Sequence, residues 1–166
     1  MVRLLVSYME QVAPPHGPAL SPPVAAVRIE KEVLDVQDYL QLYRSVGEHL
    51  QWDERLRMSR DQLAAFLNSC CTALYILRLE GQPVGLCEFD GIGAREVELK
   101  HFGLIPDVQG RGLGPYLLDR ALREIWKGQP DRVWLHTDTS DHPKAKSVYA
   151  RIGFKSYADI WEDFPD

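Results

Sequence analysis

Gln109-Gly110-Arg111-Gly112-Leu113-Gly114 joins an apolar, strand-like run (residues 97–105) to a helix-like run (residues 113–127). Glycine lets a backbone approach a ligand closely, and the first turn of a helix presents N–H groups without intrahelical partners at the positive end of its dipole. The stretch therefore predicts a turn that binds phosphate through backbone amides. A glycine-rich turn by itself is also compatible with an ordinary loop. Further motifs in the chain are therefore needed to distinguish a phosphate-binding turn from a loop.

Strand-like and helix-like segments alternate along the chain. Apolar and β-branched runs predict strands at residues 2–9, 24–33, 72–79, 84–90, 97–104, 132–137 and 154–161. Caps and helical spacing predict helices at residues 35–46, 59–68 and 113–127, and a fourth helix that Asp141 caps and that ends before Gly153. Gly47 stands where a C-cap glycine is expected, and residues 48–57 break the regular pattern.

The first 23 residues differ in composition from the rest of the chain. After the short strand, five prolines fall between residues 14 and 23, and proline blocks regular structure. We therefore expect an N-terminal arm of residues 1–23, made of a short strand and a proline-rich linker. A chain of 166 residues is long enough for one further domain, which we place at residues 24–166.

Composition limits the classes of function. Hydrophobic residues make up 45% of the chain, enough for a core, and the formal net charge of -5 argues against a nucleic-acid partner. The acidic balance is compatible with a cationic or amine substrate. The first apolar run stops at Ser7, too short for a signal peptide or a membrane span, so we expect a cytoplasmic protein without membrane association.

The cysteines and histidines do not form a recognised metal or disulfide pattern. Cys70, Cys71 and Cys87 are odd in number and two are adjacent, so we interpret them as reduced core thiols. None of the histidines at positions 49, 101, 136 and 142 has a second ligand at zinc-site spacing. The sequence therefore predicts no metal site.

A second motif comes after the glycine turn and makes the pattern specific. Ala145, Tyr149 and Gly153-Phe154 form A-x-x-x-Y-x-x-x-G-F, and the first turn reads Q-x-x-G-x-G. With both motifs in this order, residues 72–154 resemble the GNAT acetyltransferase family. The run 134–137 followed by residues 141–143 is similar to small bacterial members whose substrates are not established.

This resemblance implies an α/β fold with the element order β-α-α-β-β-β-α-β-α-β. Its mixed, mostly antiparallel central sheet is expected to be splayed open in a V and flanked by helices. In such folds, the opening of the V admits acetyl-CoA.

The resemblance also implies a cofactor site. Phe102 and Leu104 would pair the pantetheine arm through main-chain hydrogen bonds. His142 stands where many members have an asparagine that contacts the CoA arm, so this contact is left open, and the Arg111 side chain either adds charge to the phosphates or is solvated. The backbone amides expected to hold the CoA pyrophosphate belong to Gln109, Gly110, Arg111, Gly112, Leu113 and Gly114.

Catalysis requires an unprotonated amine, an oxyanion donor and a proton for the departing thiolate. Tyr149 occupies the family's general-acid position, with simple aromatic packing as the alternative. Glu98 is the expected base and Glu88 its rival, both also tentative substrate contacts, and Lys100 is expected to lower the pKa of Glu98. Trp52 either contacts the substrate or packs half-buried.

Together these features predict an acetyl-CoA-dependent N-acetyltransferase that moves the acetyl group directly to a primary amine of a small molecule or peptide. A transferase with another acyl donor or acceptor and a non-enzymatic CoA-binding sensor are the alternatives. A homodimer is left open, since members of the family frequently dimerise.

Overall fold

Seven strands form one sheet in the computed structural model, which describes residues 1–165. The strands are β1 (Val2–Gln11), β2 (Val27–Lys31), β3 (Thr72–Leu79), β4 (Gln82–Asp90), β5 (Glu96–Leu104), β6 (Arg132–Asp138) and β7 (Lys155–Phe164). The helices are α1 (Val36–Gly47), α2 (Arg60–Asn68), α3 (Leu113–Trp126) and α4 (Ala145–Ile152). The strand order is β2-β3-β4-β5-β6-β1-β7, and β5 and β6 run parallel, whereas the other neighbours are antiparallel. The predicted α/β fold with a mixed, mostly antiparallel sheet is confirmed.

The first strand lies inside the sheet. Although the sequence places it in an arm ahead of the domain, Val6 pairs with Asp138 of β6 on one side and with Ile160 of β7 on the other. Val6 and Met9 are buried in the core. The strand is therefore a structural part of the sheet, which is a correction to its predicted place.

The proline-rich segment connects β1 to β2 at the far edge of the sheet and passes along α3. The carboxylate of Asp119 accepts a hydrogen bond from the Leu20 N–H at 3.0 Å, and the Arg123 guanidinium donates to the Gly17 carbonyl at 3.1 Å. The segment is thus anchored to α3 over part of its length.

Local signals explain where most helices begin. The Asp35 side chain caps α1 by accepting from the Asp38 N–H, and Ser59 with Gln62 forms a complete capping box on α2. The fourth helix differs from the prediction, because it begins at Ala145 and not at a cap on Asp141. The Asp141 carboxylate instead accepts from the Thr137 hydroxyl and from the Asp138 N–H, so it is not available to the helix.

Two buried clusters occupy the two faces of the sheet. α3 and α4 pack on one face, where Leu99 and Leu104 of β5 join them. α1 and α2 cover the other face, over Leu74, Ile76 and Leu86. The core thus has one layer of helices on each side of the sheet.

The three thiols lie in different environments. Cys87 is buried in β4, but Cys70 and Cys71 are exposed in the turn after α2. The interpretation of the cysteines as core thiols is therefore right for Cys87 and wrong for the other two. None of the helices within residues 1–165 is long and apolar enough to cross a membrane.

β5 carries a bulge that changes which side chains reach each face. Phe89 of β4 pairs with Leu99, and Glu88 pairs with His101, so Lys100 is the extra residue. Leu99 packs into the cluster beneath α3, whereas His101 contacts α1 on the opposite face. Without the bulge, strict alternation would have put both side chains on one face.

The predicted V in the sheet lies where β5 and β6 separate after a short parallel pairing. The two strands pair only at residues 96–98 and 132–134. Both strands continue beyond these positions, β5 to Leu104 and β6 to Asp138, without facing each other in a ladder. The sheet therefore opens between them on the side of their carboxyl ends.

Gly47 is required by packing and not by its backbone conformation. Its φ of -105° is open to any residue, and the C-cap position of α1 belongs to Glu48. A Cβ at position 47 would lie 2.5 Å from carbons of the Trp52 indole. The glycine thus lets Trp52 pack directly on the end of α1.

We predict that Gly47→Ala destabilises the fold by about 1–3 kcal/mol, because the new methyl group overpacks against Trp52. The better helix propensity of alanine offsets at most about 1 kcal/mol of this. The measurement is denaturant-induced unfolding. Gly128→Ala is the control, since its Cβ would meet its nearest neighbour at 3.4 Å. Equal stabilities of the two variants would contradict the prediction.

Candidate active site

Two cavities meet where β5 and β6 separate. One is an open groove of about 910 Å³ beside the segment between α1 and α2, and the other is a narrow recess of about 50 Å³ that reaches α4. The side chains that line both cavities are Leu50, Trp52, Lys100, His101, His136 and Asp141. This junction connects the opening in the sheet to the segment between α1 and α2, which contains the candidate substrate contact Trp52.

The glycine turn has the backbone geometry that its sequence suggests. Gly110 and Gly112 have φ values of +78° and +79°, a region that favours glycine, and Gly112 is the N-cap of α3. The Gln109 N–H already donates to the Pro106 carbonyl at 3.2 Å. The exposed Arg111 side chain donates to the Asp107 carbonyl at 3.5 Å. The prediction of a phosphate site on backbone amides thus rests on residues 110–114.

The end of β5 turns main-chain groups toward the opening in the sheet. The Ile105 N–H donates to the Val84 carbonyl of β4 at 2.8 Å. Because main-chain groups alternate in direction along an antiparallel ladder, those of Leu104 and Phe102 point away from β4. This is the orientation that pairing with an extended pantetheine chain requires. The Phe102 side chain lines the recess beside Tyr149, with ring centroids 5.8 Å apart.

Tyr149 lies at the α4 end of the recess. The residue is buried, and its ring also packs against Phe154. Burial, with a smaller effect from the nearby Asp141 charge, raises the pKa of the phenol well above its usual value. The hydroxyl makes no hydrogen bond with another residue in the described part of the chain, 1–165. A protonated, uncommitted phenol facing a cavity is suited to donate a proton.

His142 also lines the recess, in the turn before α4. Its Nδ1 accepts a hydrogen bond from the Lys144 N–H at 3.1 Å, which fixes the orientation of the ring. Within residues 1–165 the other ring nitrogen makes no hydrogen bond, and a role for His142 beside the CoA arm stays a prediction.

Glu98 lies behind the junction and lines neither cavity. Its carboxylate is 3.8 Å from Lys100 Nζ and 3.8 Å from His136 Nε2, both of which do line the cavities. Burial raises the pKa of Glu98, and the positive charge of Lys100 opposes this increase without cancelling it. The predicted effect of Lys100 is thus right in direction, but burial outweighs it and the net shift of the Glu98 pKa is upward.

Glu88 is fully buried at the centre of a hydrogen-bond network. One carboxylate oxygen accepts from the Tyr39 hydroxyl at 2.5 Å, and the other from Arg55 Nη2 at 2.9 Å. That second oxygen also lies 2.8 Å from Nδ1 of His101. Burial alone would raise the pKa of Glu88, but the bonds and charges of His101 and Arg55 outweigh it and hold the pKa at about 2. Because Glu88 lines neither cavity and is weakly basic, the structure does not support it as a base that meets the acceptor directly.

Trp52, for which the sequence left two roles open, is half-buried at the junction. Its ring packs against Tyr43 and His101, with centroid distances of 5.4 and 4.9 Å, and it lines both cavities. Packing and access to a substrate are therefore not exclusive alternatives for this side chain.

Sequence reasoning missed His101 and Glu54. The sequence offers His101 only as a candidate metal ligand, and no local pattern announces the bulge that turns it toward the junction. Glu54 lines the groove and forms an ion pair with Lys100 at 3.0 Å. Within residues 1–165, no group of three or more His, Cys, Asp or Glu side chains is arranged to hold a metal ion.

Comparison with known proteins identifies the family. The sequence model of the acetyltransferase (GNAT) family matches residues 35–154. A mycothiol acetyltransferase of Kineococcus radiotolerans is 37% identical over 111 residues, 63% of this chain and 35% of that protein. An uncharacterised N-acetyltransferase of Mycobacterium bovis is 28% identical over 108 residues, 65% of this chain and 69% of that protein.

The fold agrees with solved structures. A GNAT-family protein from Novosphingobium aromaticivorans superposes with a TM-score of 0.68 at 17% sequence identity, over 97% of this chain and 63% of that chain. The chain spans about a third of the mycothiol acetyltransferase it matches, so that enzyme's activity does not carry over with its name. With the family match covering most of the sequence and both motifs, the chain belongs to the GNAT acetyltransferase family.

Proposed function

We propose that this protein transfers the acetyl group of acetyl-CoA to a primary amine. The observation that carries the proposal is the junction of the two cavities. A recess with an uncommitted phenol opens there into a wide groove, so that a thioester from one side and an acceptor from the other can meet. The family uses acetyl-CoA as a co-substrate, and no metal is needed for this chemistry.

The residues present fit a CoA molecule. The two glycines in the left-handed region bring backbone amides to the start of α3, and the main-chain groups of Phe102 and Leu104 face the opening of the sheet. Extended pantetheine and a pyrophosphate are the ligand groups that such features bind. Bound acetyl-CoA supplies the activated acyl group.

The charge of the groove supports an amine acceptor. Its carboxylates are those of Glu48, Asp53, Glu54, Asp138 and Asp141, whereas its cationic side chains are Arg44, Arg57 and Lys100. The excess of negative charge attracts an ammonium group. The name of the M. bovis relative also specifies transfer to nitrogen.

Screening for release of free CoA thiol tests the proposal. Amines, polyamines, amino acids, aminoglycosides and peptides are offered with acetyl-CoA, and a product mass of acceptor plus acetyl is the expected result. Turnover only with longer acyl-CoAs or with hydroxyl acceptors would instead identify another acyltransferase. Binding of CoA without turnover of any acceptor would support a CoA-binding sensor.

The glycine turn gives the first test of CoA binding. We predict that Gly112→Glu abolishes measurable CoA binding in calorimetry, because it adds a side chain and a negative charge at the amides proposed to hold phosphate. Gly93→Glu is the matched control, since Gly93, in the turn before β5, has a φ of +89° and an added Cβ would meet no atom within 4 Å. Equal CoA affinity of the two variants would remove the phosphate assignment.

Tyr149 gives the second test. We predict that Tyr149→Phe lowers kcat by about 10²-fold or more and leaves CoA affinity unchanged, because the ring is kept and the proton donor is lost. Single-turnover kinetics establish that the chemical step is measured. Tyr75→Phe, at another buried tyrosine that lines neither cavity, is the control. Near-normal turnover of the Tyr149 variant would assign the residue to packing.

A further inference from the structure

We propose that His101, oriented by the buried carboxylate of Glu88, accepts the proton that the acceptor's ammonium group loses. The inference rests on the proposed function, because it names the base of that reaction. It differs from the sequence prediction, in which Glu98 takes this proton.

The position of His101 at the junction of the two cavities supports this role. His101 lines both cavities, whereas Glu98 and Glu88 line neither. The bulge at Lys100 turns the imidazole to the α1 face of β5, next to Trp52, at the junction that His136 of β6 also lines. An acceptor nitrogen approaching from the groove toward the recess therefore passes His101 before it reaches Tyr149.

The orientation of the His101 imidazole by Glu88 also supports this role. Glu88 lies 2.8 Å from Nδ1 of His101, and an ionised carboxylate requires a proton on that nitrogen. The other nitrogen, Nε2, then carries the lone pair. It lies 3.2 Å from the Tyr43 hydroxyl and 3.7 Å from the Glu54 carboxylate, a residue of the groove. A carboxylate behind an imidazole fixes the tautomer and stabilises the imidazolium that forms.

The charges around His101 allow it to take up a proton. Glu88 and Arg55 form a buried pair of opposite charges, so a neutral imidazole leaves these three groups without net charge. Protonation adds one positive charge, which the Glu54 carboxylate faces from the groove. Lys100 forms an ion pair with the same carboxylate and thereby partly neutralises the charge of Glu54. The titratable and charged groups near the ring are Tyr39 and Tyr43 of α1, Glu54 and Arg55 of the following segment, Glu88 of β4, Lys100 of β5 and His136 of β6.

The buried Glu88–Arg55 ion pair costs hydration free energy, and packing alone does not require it. Burying a carboxylate and a guanidinium removes the hydration of both ions, and apolar residues of similar size are often as stabilising. Here the pair ends on an imidazole that reaches the junction. Glu88 is therefore a positioning residue for His101.

The proton balance closes with the two groups in these roles. The N–H bond of the ammonium breaks and its proton moves to Nε2 of His101, leaving a neutral amine. The amine lone pair forms the new C–N bond at the thioester carbon, the C–S bond breaks, and the thiolate takes the Tyr149 proton. The second proton of the attacking nitrogen restores the phenol, and the imidazolium proton leaves to water. One proton is released per acetyl group transferred.

The test is the pH dependence of kcat/KM, measured with an amine found in the acceptor screen. Histidine changes charge between pH 5 and 8, whereas a free amine loses its proton near pH 10. We expect His101→Gln to lower kcat/KM at pH 7 by about 10²-fold or more. The residual rate should then rise tenfold per pH unit toward the pKa of the amine. CoA affinity should be unchanged.

Three further variants make the assignment specific. Two of them should keep the ascending limb of the wild-type profile, the pH range in which kcat/KM rises. They are His136→Gln, at the other histidine of the junction, and Glu98→Gln. Glu88→Gln should move the limb to lower pH and lower kcat with unchanged CoA affinity, because the imidazolium loses its carboxylate. If His101→Gln does not fold, Tyr43→Phe replaces it. This variant removes the hydroxyl beside Nε2, which also accepts from the Arg55 N–H at 3.4 Å, and should displace the limb.

The pH profiles of these variants distinguish His101 from Glu98 as the base. A wild-type pH profile in His101→Gln, or in Tyr43→Phe when that variant replaces it, overturns the inference. Loss of the limb in Glu98→Gln together with its retention in His101→Gln identifies Glu98 as the base. Wild-type protein that binds CoA but acetylates no amine instead overturns the proposed function itself.

Discussion

The buried carboxylate of Glu88 is the constraint on which the acceptor side of the structure depends. It connects α1 through Tyr39, the segment before α2 through Arg55, and β5 through His101. A buried charge deprived of one partner typically costs about 3–5 kcal/mol, so these segments are held in one arrangement. The same arrangement places Trp52 on Gly47 at the end of α1. The wall of the groove is therefore fixed by the interior of the protein and not by surface contacts alone.

The opening of the sheet and the bulge in β5 act together. The separation of β5 from β6 after three paired positions exposes a strand edge that a ligand can use. The bulge at Lys100 then divides β5 into a part whose Leu99 packs beneath α3 and a part whose His101 faces the groove. One strand in this way turns main-chain groups toward the opening of the sheet and a side chain toward the junction of the two cavities.

The features that could be predicted from the sequence are those that are encoded locally. The glycine turn, the β3–β4 hairpin and the caps at Asp35 and Ser59 are short-range signals, and each appears where the sequence indicated. The place of β1 between β6 and β7 depends on pairing with residues more than 120 positions away, which no local pattern contains. The start of α4 differs from the prediction because the Thr137 hydroxyl engages the Asp141 carboxylate, a local contact over four residues that the capping pattern does not reveal.

The two halves of the candidate site differ in the same way. The main-chain groups proposed to hold CoA come from one continuous stretch, residues 102–114, and Tyr149 belongs to a second short motif, so both can be recognised from sequence. The groove is assembled from residues 43–57, from Lys100 and His101 of β5, from the end of β6, and from Val2, Leu4 and Phe164 of β1 and β7. Because β1 inserts next to β7, changes in either strand alter the groove while the glycine turn stays intact. Acceptor choice can therefore vary among proteins of this fold without any change in the residues that identify the family.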